Sequence, residues 1–113
     1  MALQRTRLTP VMVVPASVDT IYENSAATRT HVRGVTFINR ALTTQVVKLW
    51  WVPDGDSPDD TNIIQPGLQL QANEVFTWDI PYSITMLDDG ETLQAEADAA
   101  DSINIIIHGD KDQ

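Results

Sequence analysis

Short apolar runs alternate with polar punctuation along the chain, at a spacing that predicts strands. Runs rich in Val, Ile, Thr and aromatic residues fall near 10–14, 19–23, 31–39, 45–52, 63–70, 74–79, 82–87, 91–97 and 103–109. Pro, Gly, Asn and Asp separate them. Many short strands with turn signals between them point to an all-β fold, an antiparallel β-sandwich or a jelly-roll-like domain. Pro15, Pro53, Pro58, Pro66 and Pro81 have no N–H for a ladder and belong at strand ends or sheet edges. "NRALTT" at 39–44, "QANE" at 71–74 and "DDG" at 88–90 supply turns, the last with an Asp-Gly step that accepts positive φ. "AEADAADS" at 95–102 has helix propensity but is too short to stand as a helix. A strand, a tight turn around Asp98–Asp101 and a further strand suit it better.

Side chains alternate along a strand, so each strong run splits into two faces. In 45–52 one face holds Val47, Leu49 and Trp51, and the other Val46, Lys48, Trp50 and Val52. Lys48 is a poor candidate for burial, which marks its face as the outer one and places Trp50 there. In 103–109, Ile103, Ile105 and Ile107 form the inner set, while Asn104 and His108 mark the outer face and leave Ile106 on it. In 91–97, Leu93, Ala95 and Ala97 face in against Thr92, Gln94 and Glu96. A contiguous apolar patch of Trp50, Val46, Val52 and Ile106 is therefore expected, as an intersubunit contact. The competing expectation is that another part of the same chain covers Trp50. Under the first, Trp50→Ala weakens assembly and spares the fold, whereas Trp51→Ala destabilises the monomer.

With 113 residues the chain forms one domain around one modest core, and 42% hydrophobic residues suit a folded protein. We divide it into an N-terminal arm with a first short strand, 1–14, and a sandwich domain, 15–113. The absence of cysteine excludes disulfides, thiolate metal sites and cysteine catalysis. A net charge of −9 argues against nucleic acid as a partner. No run approaches the roughly 20 apolar residues of a membrane span, so no membrane partner is expected. Arg5 and Arg7 lie in a first segment that carries no acid, so the arm is basic and the body acidic. Such an arm suits docking on an adjoining acidic subunit; the alternative is that the two arginines simply keep the terminus solvated.

Catalytic chemistry is sparse. There is no phosphate-cradling glycine loop, no nucleophile elbow and no pair of histidines at helical spacing. His31 and His108 are expected as separate strand residues, and neither an enzymatic activity nor a cofactor is expected. The loop "PDGDSPDDTN" at 53–62 offers Asp54, Asp56, Asp59 and Asp60 as hard oxygen ligands, a weak Ca²⁺ candidate. Pro58 stands where a further ligand belongs and no glutamate closes the loop, so a solvated connection is the default.

Four pieces in order, "TIYEN" at 20–24, "HVRGVTFINRA" at 31–41, "VVKLWWVPDGD" at 46–56 and "LDDGETLQAEADAADSINIIIHG" at 87–109, carry a family resemblance. The chain resembles small β-sandwich virion proteins of tailed bacteriophages, over 15–110. The adjacent tryptophans and the apolar Ile106 depart from that group. The resemblance implies a structural component of the particle, made in the host cytoplasm and located in the virion, and implies no catalytic residues. The expected role is a capsid decoration or cement protein acting by surface adhesion. Its expected partners are itself, as a trimer or other ring, and other virion proteins such as the major capsid protein. A tail, baseplate or fibre component is the alternative. A carbohydrate- or Ca²⁺-dependent binding module is the rival from another class, and it requires Trp50 to lie in an open groove with polar neighbours.

Overall fold

The computed structural model describes residues 3–112, with the side chains of all of these except 3–7 and 81–82. The strands are β1 (Leu3–Arg7), β2 (Met12–Val13), β3 (Asp19–Glu23), β4 (Arg29–Asn39), β5 (Gln45–Val52), β6 (Ile63–Leu70), β7 (Val75–Met86), β8 (Thr92–Ala97) and β9 (Ile103–Asp112). They form two antiparallel sheets packed as a sandwich. Sheet A has the order β1-β9-β4-β7, with β2 also on β9, and sheet B the order β3-β8-β5-β6.

The alternation read from the sequence is the alternation that builds the core. Val47 and Leu49 of β5, Leu93, Ala95 and Ala97 of β8, and Ile103, Ile105 and Ile107 of β9 are all buried in one cluster between the sheets. Val32, Val35 and Phe37 of β4 complete it from the centre of sheet A, and Trp51 packs against it partly buried. Asp98–Asp101 forms the turn between β8 and β9, with Asp101 at φ 59°.

Two elements differ from the sequence expectation. The runs 74–79 and 82–87 are one strand, β7, because it lies at the edge of sheet A, where the missing N–H of Pro81 breaks no ladder bond. The accommodation falls nearby: its pairing with β4 shifts between Val32 and Gly34, and Ser83 sits at φ 65°. Residues 3–7, assigned to an arm, form β1 and pair with β9 from Leu3↔Asp112 to Arg7↔His108. "LQRTR" has no apolar alternation, so only the open edge of β9 reveals it as a strand. The side chains of Arg5 and Arg7, expected to reach a neighbour, lie outside the described residues.

Two fully buried asparagines fix the ends of the sandwich. Asn24 donates from Nδ2 to the carbonyls of Thr28 (3.0 Å) and Asp88 (2.9 Å), and its Oδ1 accepts from Thr30 Oγ1 (2.7 Å). Asn39 donates from Nδ2 to the carbonyls of Thr43, Leu70 and Gln71, each at 3.0 Å, and accepts at Oδ1 from Ala41 N–H at 2.9 Å. Loop carbonyls that would otherwise be orphaned out of water are satisfied by these amides. Each asparagine ties together segments distant in sequence, so the loops inherit the rigidity of the sheets.

Candidate functional site

The outer face of sheet B does not carry the expected patch. Trp50 does point away from the core cluster, between its cross-strand neighbours Gln94 and Ile63, yet it is only 9% exposed. Val52, 1% exposed, is sealed as well, and Val46 is half-buried beside Gly67. The chain itself covers the tryptophan, as the competing expectation held. Ile106 lies in β9 of the other sheet, so it shares no face with Trp50. The four-residue patch is therefore corrected: its largest member is sealed in the monomer and its fourth faces the opposite side. We expect Trp50→Ala to cost about 2 kcal/mol of folding stability, measurable by urea denaturation, in place of sparing the fold.

The outer face of sheet A is different. The registers place Val13, Asn104, Ile38 and Val75 in one cross-strand row, and Ile106, Thr36 and Thr77 in the next. Val11 immediately precedes β2 in the chain. Val13 is 47% exposed, Val11 51% and Val75 62%, while Ile38 and Ile106 are half-buried. None of these eight residues is charged, in a chain where one residue in five is. Thr36 joins the strands across the second row, bonding Thr77 Oγ1 at 3.0 Å and His108 Nε2 at 3.2 Å. Ile106 was legible as an outer-face residue. Val13, Ile38 and Val75 were not, because only the strand order makes them its neighbours.

The histidines do not form a pair. His108 is held by Thr36, and His31 by Thr85 through Nδ1 at 3.2 Å.

The acidic loop folds on itself. Asp59 Oδ1 accepts from Thr61 Oγ1 at 2.6 Å and Thr61 N–H at 2.8 Å, while Asn62 bonds Asp59 N–H and the Ser57 carbonyl. Asp54 packs against Gly90, whose φ of +85° and lack of a Cβ permit the contact. Among the described residues, no group of three or more His, Cys, Asp or Glu side chains is placed to hold a metal ion. The Ca²⁺ candidate Asp54, Asp56, Asp59 and Asp60 is thereby corrected: internal hydrogen bonds, and not convergence on a cation, order the loop. The Thr61 hydroxyl, then its N–H, hold the Asp59 carboxyl below its ordinary pKa. A depressed folded-state pKa favours the ordered loop above the ordinary carboxylate range and ceases to do so as pH falls through the folded value. Thr61→Val should raise the Asp59 pKa toward its ordinary value, as read by NMR titration.

Beside this loop lies an open cavity of about 350 Å³. Trp51, Pro53 and Ile64 give it apolar lining, and Thr61, Asn62 and Glu91 polar lining. Glu91 is pinned: Oε1 accepts from Trp51 Nε1 at 3.1 Å, and Oε2 accepts from the N–H groups of Leu87 (2.8 Å) and Asp88 (2.6 Å). The tryptophan in a cavity with polar neighbours is thus Trp51, the inner one of the pair. At 46–56 the sequence shows that one of the tryptophans faces in, but not that β5 carries it to the rim, where Glu91 meets it.

A scan against protein-family models finds no match to the chain, and a search of curated proteins finds none either.

Proposed function

We propose that this chain is a structural protein of a tailed-phage particle, a capsid decoration or cement protein that adheres through the outer face of sheet A. The particle is suggested by the resemblance over 15–110. The surface is suggested by one observation, the uncharged strip of Val11, Val13, Ile38, Val75 and Ile106 with its threonines and Asn104. Interface cores are depleted in charge and well packed, and this strip, bordered by Arg40, which donates from Nε to Asn104 Oδ1 at 2.8 Å, answers to that description. A chain of net charge −9 repels its own copies wherever acids face each other. Contact between copies, or with a capsid subunit, therefore runs through the strip.

The test replaces two strip residues that the fold does not need. Val13→Lys and Val75→Lys lie at about half exposure or more, so each should leave the unfolding free energy within about 0.5 kcal/mol of wild type. Each should also reduce the amount of protein recovered on particles several-fold, because a lysine ammonium must then be desolvated in the contact. Recovery of both variants at wild-type levels rejects the strip as the contact.

A further inference from the structure

We infer that the Trp51 cavity binds a neutral pyranose sugar. Its volume of about 350 Å³ lies at the small end of the roughly 300–1,000 Å³ typical of small-molecule sites, enough for one ring. Sugar rings present apolar C–H faces bordered by hydroxyls. The lining has both complements: an indole with aliphatic neighbours, and a carboxylate, an amide and a hydroxyl.

Hydrogen-bonding capacity remains on each polar group. A carboxylate has about four lone-pair sites, and Glu91 uses three of them among the described residues. The Asn62 amide donates one of its two N–H bonds, to Ser57. The Thr61 hydroxyl spends its proton on Asp59 and keeps its lone pairs. One N–H of Asn62 and acceptor sites on both Glu91 and Thr61 are thus left for the vicinal hydroxyls of a ring. All three groups are already fixed by bonds to the main chain or to Asp59, so little ordering is lost on binding. Glu91 in the wall, with Asp54 packed on the adjacent Gly90, disfavours an anionic sugar. The site is independent of the sheet A strip, since it lies at the rim of sheet B, on β5, β6 and the adjoining loops, and it gives the chain a means of contacting glycans as well as protein.

The test is an NMR titration of the intact chain with methyl glycosides of glucose, galactose, mannose and N-acetylglucosamine, reading the indole N–H resonances of Trp50, Trp51 and Trp78. Selective, saturable movement of the Trp51 resonance by at least one glycoside is expected, with a Kd on the order of a millimolar for so small a ligand. Asn62→Ala and Glu91→Gln should each weaken it at least about fivefold, with the folded spectrum checked first. Because Asn62 also braces its loop, Ile64→Val serves as a fold-preserving partner variant that enlarges the cavity and should weaken binding modestly. Methyl glucuronide should bind more weakly than methyl glucoside. No movement of Trp51 with any glycoside at about 50 mM overturns the inference. So does tighter binding of glucosamine than of every neutral ring, which would make charge the feature recognised.

Discussion

Gly109→Ala should cost at least about 3 kcal/mol of folding stability. Gly109 sits in β9 where it pairs with Val32 of β4 and Thr6 of β1. A Cβ built there collides with the backbone carbonyl oxygen of His31 and approaches Leu8 Cδ1 to 3.0 Å. Overpacking of a flexible side chain costs roughly 1–3 kcal/mol, because the neighbour can turn aside. A main-chain carbonyl inside a paired ladder has no such freedom, so β4 and β9 must separate. Against a typical total of about 5–15 kcal/mol, the loss leaves the domain near its margin. Thermal unfolding should move down by about 10 °C or more. Gly67→Ala is the control: its Cβ would meet only Val46 Cγ1, at 3.9 Å, and stability should stay within about 0.5 kcal/mol. Equal behaviour of the two alanine variants would refute the close packing of β9 on β4.

Asn39→Ala is the second large effect, at about 3 kcal/mol. The substitution removes a donor shared by the carbonyls of Thr43, Leu70 and Gln71 and the acceptor for Ala41 N–H. Each buried polar group left without a partner costs roughly 1–3 kcal/mol, and groups that water can reach cost less. The Leu70 carbonyl is the most deeply buried of the three contacts and carries most of the loss. Asn39→Asp should be worse still, because it is isosteric but turns a carboxylate toward three carbonyl oxygens. Urea unfolding with an unchanged m-value would read both as losses of native stability. A loss below about 1 kcal/mol for Asn39→Ala would mean that water replaces the amide.

These residues show how far the sequence could be read. The inner sets of β5, β8 and β9 follow from alternation alone, because period-2 burial is local and each strand declares its own face. Both asparagines stand at the ends of apolar runs, in "TIYEN" and "FINR", but their partners at Asp88, Leu70 and Gln71 are distant in sequence. Their role as hubs therefore appears only with the topology. Trp50 illustrates the same limit from the other side. Lys48 marked its face correctly, whereas its exposure depended on Gln94 and Ile63, which strand pairing brings beside it. The sheet A strip is an object of cross-strand register: Val13, Asn104, Ile38 and Val75 span most of the chain and form a row only because β2, β9, β4 and β7 are neighbours. In the acidic loop, the residue types suited a cation, and the hydrogen bonds of Asp59 and Asn62 used that geometry internally.

On the proposed function, the chain coats a capsid by adhesion of its sheet A face. The copy number of this chain relative to the major capsid protein in purified phage particles, by quantitative mass spectrometry, tests that proposal. A regular ratio is expected, about one copy per capsid subunit or one per three, as a symmetric coat requires. Absence from purified particles would contradict it outright, and a few dozen copies or fewer would contradict the coat and place the chain on the tail or at a vertex.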